Sequence, residues 1–342
     1  MRSFEPLGVD LDELVLVDDL DPTYALKDFE PIVDGCTDEA VPAQLRYKID
    51  YYTSVWESSS IRDVLSFLGI SNALDSFLSS GYHVYDAVYA TSLKLVYNDI
   101  LLELPYEDIV LMQKPVEDLL QLDYIKDFKF SKIRLSLSGK ALDFLRSTGL
   151  DVEDYLRQNP EDLQLPYHVT RCDIAFDFIN FHGDFLQKCY EFVDNPAKLL
   201  PSGRLAIIGV CGGVSFKTVR GIQRTLYLGA PTSERYLRIY DKKLERSSRN
   251  GGVFMDTQFG DPAAVKSWIR FEWQLRKEKA RTILYGSGGD NFYMAVLREI
   301  FEFYSFRDCE TSTTRDKKIE VAPFWRDFFD WSEIDSLSKL LI

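Results

Sequence analysis

The chain has 342 residues, 46% of them apolar and 14% aromatic, which is enough to bury one large core or two smaller ones and too apolar for a disordered polymer. No run approaches the roughly 20 apolar residues of a membrane span, and the N-terminus, Met1-Arg-Ser-Phe-Glu-Pro6, turns acidic where a secretory leader would stay apolar, so a cytoplasmic protein is expected. The net charge of −14 weighs against general nucleic-acid affinity, and five cysteines (Cys36, Cys172, Cys189, Cys211, Cys309), odd in number and without a C-x-x-C pair, weigh against a disulfide framework and structural zinc.

Residues 1–44 read as an acidic arm, with Asp10, Asp12, Glu13, Asp18, Asp19, Asp21 and Asp28 set among short aliphatic pairs. From Leu45 the pattern becomes that of a packed protein. Arg46–Glu57 is aromatic and β-branched, hence a strand. Ser60–Phe77 has apolar residues at helical spacing (Ile61, Val64, Leu65, Leu68) behind the N-cap candidates Ser58–Ser60. Strands are predicted at 82–90, 92–97 and 132–138, the last closed by Gly139 and followed by a helix from Ala141 to Arg146. A second cycle places strands at 169–179, 224–229, 235–242 and 267–276 and helices near 184–193 and 290–304. The order predicts an α+β fold, a largely antiparallel sheet with helices packed on one face.

Charge is distributed unevenly along this plan. Residues 1–50 carry 13 acids and 4 bases, whereas residues 201–281 carry 16 bases and 7 acids. A basic segment of this kind can hold a polyanion while the rest of the surface keeps the chain soluble.

Three strands each carry one polar face. In Thr170-Arg-Cys-Asp-Ile-Ala-Phe-Asp-Phe178, the period of two puts Cys172, Ile174, Phe176 and Phe178 on one side and Arg171, Asp173, Ala175 and Asp177 on the other. Two ionised carboxylates roughly 7 Å apart repel, so such a face calls for a cation or a base. In Arg235-Tyr-Leu-Arg-Ile-Tyr-Asp-Lys242, Tyr240 stands between Arg238 and Lys242, with Tyr236 on the same face; neighbouring cations favour phenolate and also hold phosphate. In Trp268-Ile-Arg-Phe-Glu-Trp-Gln-Leu-Arg276, Glu272 lies between Arg270 and Arg276 on the polar side. Taken singly, each strand also fits a solvent-facing surface, a salt-bridged ladder, or a tyrosine that merely covers the sheet. Taken together they suit in-line attack on a phosphodiester: carboxylates for Mg²⁺ or Mn²⁺, cations for developing charge, and a tyrosine as covalent nucleophile.

Five segments occur in an order and spacing that resemble the replication initiation factor family, which includes rolling-circle plasmid and phage initiators and related transfer relaxases. They are Leu135-Ser-Leu-Ser-Gly139, Thr170-Arg-Cys-Asp-Ile-Ala-Phe-Asp177, Thr225-Leu-Tyr-Leu-Gly229, Arg238-Ile-Tyr-Asp-Lys242 and Ile269-Arg-Phe-Glu272. The likeness runs over about 45–335, including Phe324-Trp325-Arg326-Asp327-Phe328-Phe329. It implies a fold related to the HUH-type (His-hydrophobic-His) nicking endonucleases without their paired histidines; His83, His168 and His182 form no H-x-H. It implies Tyr240 as nucleophile with Lys242 beside it in the catalytic set, and Asp173 and Glu272 as ligands of Mg²⁺ or Mn²⁺, with Asp177 as a third. Arg171, Arg224, Arg235, Arg238, Lys243 and Arg270 are the candidate DNA contacts. On this resemblance, 45–160 is the N-terminal half of the initiator fold and 161–342 the catalytic half with the C-terminal helices. The expected activity is metal-dependent, site-specific nicking and religation of origin DNA through a 5′-phosphotyrosine. The expected partners are single-stranded or hairpin DNA, a host helicase or polymerase, and a second copy in a homodimer. A transfer relaxase and a non-catalytic DNA-binding relative are the alternatives; no helix-turn-helix precedes residue 45, which favours the initiator.

Overall fold

The computed structural model describes residues 42–80, 82–86, 89–105, 107–108, 123–195, 207–208, 214–219, 223–249, 262–286, 292–307, 320–330 and 334. The acidic arm therefore lies outside the described residues but for its last three positions. Twelve strands follow in chain order: β1 (Gln44–Ser59), β2 (Tyr82–Asp86), β3 (Tyr89–Tyr97), β4 (Ile100–Pro105), β5 (Phe130–Leu137), β6 (Tyr167–Ile179), β7 (Ile207–Ile208), β8 (Val214–Val219), β9 (Gln223–Leu228), β10 (Arg235–Asp241), β11 (Trp268–Arg276) and β12 (Ser305–Phe306). Ten of them form one sheet in the order β2-β3-β4-β5-β1-β6-β11-β10-β9-β8, and β7 pairs with β12 apart from it. Every pairing between these strands is antiparallel, as the α+β expectation requires. Among the described residues no helix is long and apolar enough to cross a membrane.

β1 joins the two halves. Its second half pairs with β5 from Tyr52↔Leu137 to Ser59↔Phe130, while β6 runs beside nearly its whole length. Before Tyr52, among the described residues, no strand pairs with β1 on the β5 side, and side chains from neighbouring helices take over. Arg146 donates from Nη2 to the Ile49 carbonyl at 2.9 Å, and Glu153 Oε1 accepts the Ile49 amide at 3.3 Å. Backbone groups in a packed interior need such partners.

The predicted continuous helix over Ser60–Phe77 is broken. The first piece, Ile61–Phe67, opens on a reciprocal capping box between Ser60 and Asp63. It ends at Gly69, whose φ of +69° is left-handed, with Gly69 N–H donating to the Ser66 carbonyl and Ile70 N–H to Leu65. That double return bond is a glycine C-terminal cap, and a short 3₁₀ turn and the helix Leu74–Ser79 follow. The predicted strand over 82–90 likewise divides: β2 ends at Asp86 and β3 begins at Tyr89.

The apolar sides of β6 and β11 are sealed by aromatic packing. Phe178 and Phe271 meet edge to face at 5.4 Å, and Phe271 stacks on Phe328 of the helix Pro323–Phe328 at 5.5 Å. Phe328 in turn stacks on Phe185 of the helix Phe185–Asp194 at 3.8 Å. Phe271 is fully buried and central to this cluster. Phe271→Ala is therefore expected to cost about 3–5 kcal/mol of unfolding free energy. Urea denaturation followed by tryptophan fluorescence measures it; a loss below about 1 kcal/mol would show that the cluster is not what holds the helices to the sheet.

Candidate active site

The other side of the same strands gathers the charges. β6 and β11 place Asp177 opposite Arg270, Ala175 opposite Glu272 and Asp173 opposite Gln274. β10 adds Tyr240 opposite Arg270, Arg238 opposite Glu272 and Tyr236 opposite Gln274. β1 adds Arg46 opposite Asp177 and Lys48 opposite Ala175; after a register shift between Ile49 and Tyr51 it adds Tyr51 opposite Asp173. Directly opposed residues share a sheet face, so these side chains form one surface.

That surface is not a solvated one. Asp173 is 1% exposed, Asp177 5% and Glu272 6%. Buried carboxylates need cations or donors, and each has them. Asp173 accepts from Arg171 Nε at 2.8 Å and Nη2 at 2.6 Å, and from Gln274 Nε2 at 3.4 Å. Asp177 accepts a fork from Arg270 Nε at 2.7 Å and Nη2 at 2.6 Å, with Trp268 Nε1 as a third donor at 2.7 Å. Glu272 is in contact with Arg238 Nη2 through Oε1 and accepts the Tyr240 hydroxyl through Oε2 at 3.2 Å. The same Arg238 nitrogen lies 3.9 Å from Asp173, so one guanidinium spans the two carboxylates.

Tyr240 is the buried centre of the group. The neighbouring cations do not produce the expected phenolate. Burial pushes the phenol up to about 12, Arg270 opposes the rise, and Asp50, Glu245 and Asp177 add to it. At neutral pH the group is a phenol whose proton points at Glu272. Lys242 opens the helix Lys242–Arg249, sits 5.7 Å from the Tyr240 ring centre and pairs with Glu245 at 2.8 Å. Burial, then Arg270, lowers the Lys242 ammonium below its ordinary value, against the pull of Glu245.

Of the remaining sequence candidates, Arg171 and Arg238 lie on the face, about 30% exposed at their side chains. Arg270 lies there too, but is buried, with its guanidinium shared between Asp177 and Asp50, the latter at 3.3 Å. Arg235 is on the opposite face, where it pairs with Glu299 at 3.1 Å and covers the Phe303 ring. Lys243 donates to the Val265 carbonyl. The Arg224 side chain lies outside the described residues.

The structure also brings in residues that were not anticipated. Asp50, held below the ordinary carboxylate range by Arg270, Lys48 and Lys242 against the opposing effect of its burial, is one. Lys48, Gln274 and Trp268 are others. The alternation Arg46-x-Lys48-x-Asp50 was a readable signal for part of this. Beside Asp177 a cavity of about 280 Å³ opens, lined in part by Arg46, Lys48, Arg246 and Arg270.

Among the described residues no three carboxylate, histidine or cysteine side chains come together as a ready metal site. Asp173 and Glu272 nevertheless offer hard oxygen donors on adjacent strands around a position that already holds a cationic group. That chemistry fits a small divalent cation, which is often bound by one or two carboxylates with water and substrate phosphate completing the shell. Asp177, with three donors on its two oxygens, is differently placed.

Residues 167–337 match a family model described as replication initiation factor. No match emerges among curated protein sequences. The solved structure of a rolling circle replication initiator protein from Geobacillus stearothermophilus superposes with a TM-score of 0.54 at 15% identity, over 86% of this chain and 97% of that one. The fold is thus shared with that initiator.

The Asp177–Arg270 pair carries its own prediction. Removing one partner of a buried, forked ion pair strands the other charge. Asp177→Ala is expected to lower unfolding free energy by about 3–5 kcal/mol, and a chemical-denaturation midpoint equal to that of the parent would show the pair to be dispensable.

Proposed function

The chain belongs to the replication initiation factor family, and on that premise we propose that it initiates rolling-circle replication by nicking and rejoining single-stranded origin DNA through Tyr240. The observation that carries this reading is the hydrogen bond from the Tyr240 hydroxyl to Glu272 on a face lined with guanidinium groups.

In the proposed step the Tyr240 oxygen attacks phosphorus and its proton passes to Glu272. The bond from phosphorus to the 3′-oxygen breaks, leaving a 5′-phosphotyrosine on the protein and a free 3′-hydroxyl for a polymerase. Lys242, whose lowered proton affinity suits an acid, supplies the proton to the departing oxygen. Arg238 and Arg171, the partly exposed cations of the face, hold the phosphate. Arg270 acts through its partners: forked onto Asp177 and tied to Asp50, it fixes the floor on which Tyr240 rests. Asp173 and Glu272 would hold Mg²⁺ or Mn²⁺, whose chemistry is to polarise the phosphate. The later attack of a 3′-hydroxyl on the phosphotyrosine reverses the step and rejoins the strand.

Tyr236 is the rival nucleophile on the same strand face, and it lacks the carboxylate contact that Tyr240 makes. Tyr240→Phe is expected to abolish covalent attachment to single-stranded origin DNA while sparing the fold, and Tyr236→Phe to retain it. Denaturing gels of protein mixed with labelled DNA show the adduct directly. An adduct that persists in Tyr240→Phe moves the assignment to Tyr236. Excess chelator is expected to stop nicking by the parent protein, and undiminished nicking would remove the metal from the scheme without touching the tyrosine.

A further inference from the structure

A stacked pair of tyrosines on the polar face is left over by this mechanism. Tyr236 lies four residues before Tyr240 on β10, on the same side, and roughly 13 Å away along the strand. Tyr227 of β9 stands opposite Arg238. The Tyr227 and Tyr236 rings stack, with centres 5.6 Å apart and planes inclined by 17°. Tyr236 is the inner, nearly buried ring and Tyr227 the half-exposed one.

Their position is unusual for a tyrosine pair that merely fills a core. The alternation of β10 puts Leu237 and Ile239 on the core side, both fully buried, and Tyr236, Arg238 and Tyr240 on the other. The pair therefore belongs to the charged surface. Tyr240, Arg238 and Tyr236 follow one another along β10, and Tyr227 stands on β9 level with Arg238, its ring stacked on Tyr236. A single strand of nucleic acid presents phosphates and flat bases in alternation. Guanidinium groups suit the former, and aromatic faces suit the latter whatever the base.

We propose that the Tyr227–Tyr236 stack is a base-binding subsite that receives an unpaired base flanking the attacked phosphate. The proposal rests on the reading of Tyr240 as nucleophile of single-stranded DNA and adds the element that positions the strand. The outer ring of Tyr227 offers the face, Tyr236 holds that ring in orientation from beneath, and Arg238 takes the phosphate between base and nucleophile. Such a subsite would select unstacked, unpaired strand over duplex, because a base inside a duplex has no free face to offer.

The test compares two oligonucleotides on the full chain by fluorescence anisotropy: a labelled oligothymidylate and an abasic strand of equal length, with the same phosphates and no bases. The parent protein is expected to bind the thymidylate more tightly than the abasic strand. Tyr227→Ala is expected to weaken thymidylate binding roughly 5- to 100-fold, the range for loss of one base-aromatic stack, and to leave abasic binding unchanged. That unchanged binding also reports an intact fold. Tyr227→Phe should keep the parent preference, since the ring and not the hydroxyl does the stacking. A second measurement needs no alanine variant: 2-aminopurine placed in the thymidylate should be quenched on binding to the parent and to Tyr227→Phe. If the preference for bases survives in both Tyr227→Ala and Tyr236→Ala, or no position of 2-aminopurine is quenched, the stacking proposal is overturned while phosphate binding and the role of Tyr240 stand. If the parent binds neither oligonucleotide, the stacking proposal and the DNA reading fall together.

Discussion

A sheet face that turns three carboxylates away from water must balance their charge within the protein. Here the balance is kept by arginines: Arg171 on Asp173, Arg270 on Asp177 and Arg238 on Glu272. The cost of desolvating an unpaired carboxylate is large enough that no such face could fold without these partners. The pairing also dictates register. Asp177 can meet Arg270, and Glu272 can meet Arg238, only if β6, β11 and β10 align as observed, and a shift of one residue would send every one of these groups into the phenylalanine core. The site's chemistry and the sheet's alignment are therefore one constraint seen from two sides.

The same burial shapes Tyr240. A phenol in this setting is held as a phenol, raised to about 12 by burial, and Arg270, rather than its sequence neighbours Arg238 and Lys242, is the cation that chiefly opposes the rise. Arg238 is directed to Glu272 and Lys242 to Glu245, so their positive charge is answered before it reaches the tyrosine oxygen. What the phenol has instead is a specific acceptor. Its hydrogen bond to Glu272 fixes the direction in which the hydroxyl proton points.

Much of this was readable in the chain. Period-two alternation in 170–178, 235–242 and 268–276 identified the three strands and the faces they present, because a half-polar strand can satisfy both its sides in only one way. The fold class followed from the order of strands and helices. Other features were hidden for physical reasons. The break at Gly69 depends on a left-handed backbone that helical apolar spacing does not register. Counting by two from Arg46 and Lys48 groups Asp50 with them, but its partner Arg270 is two strands away, and β1 changes register at that point, so the pairing itself is not in the strand's sequence. Arg235 belongs to the same strand as Arg238 and Tyr240 yet faces Glu299 on the other side, and parity alone separates it from Arg238. The acidity of Asp177, Asp173 and Glu272 was visible, but not which cation each one holds. That depends on cross-strand register, which no single strand contains.

Charge balance also governs what can enter the site. On the proposed function, a phosphate arriving at Arg238 would compete with Glu272 for the guanidinium; Asp173 keeps Arg171, so it is Glu272 that would be left buried without its cation. The exchange becomes favourable only if a second positive charge arrives at the same time. On the same reading, Asp173 and Glu272 would hold a divalent cation, whose charge would answer theirs. A proton taken from Tyr240 would answer the charge of Glu272 alone. On the proposed function, Arg238 is thus the residue through which phosphate binding and proton transfer would be coupled.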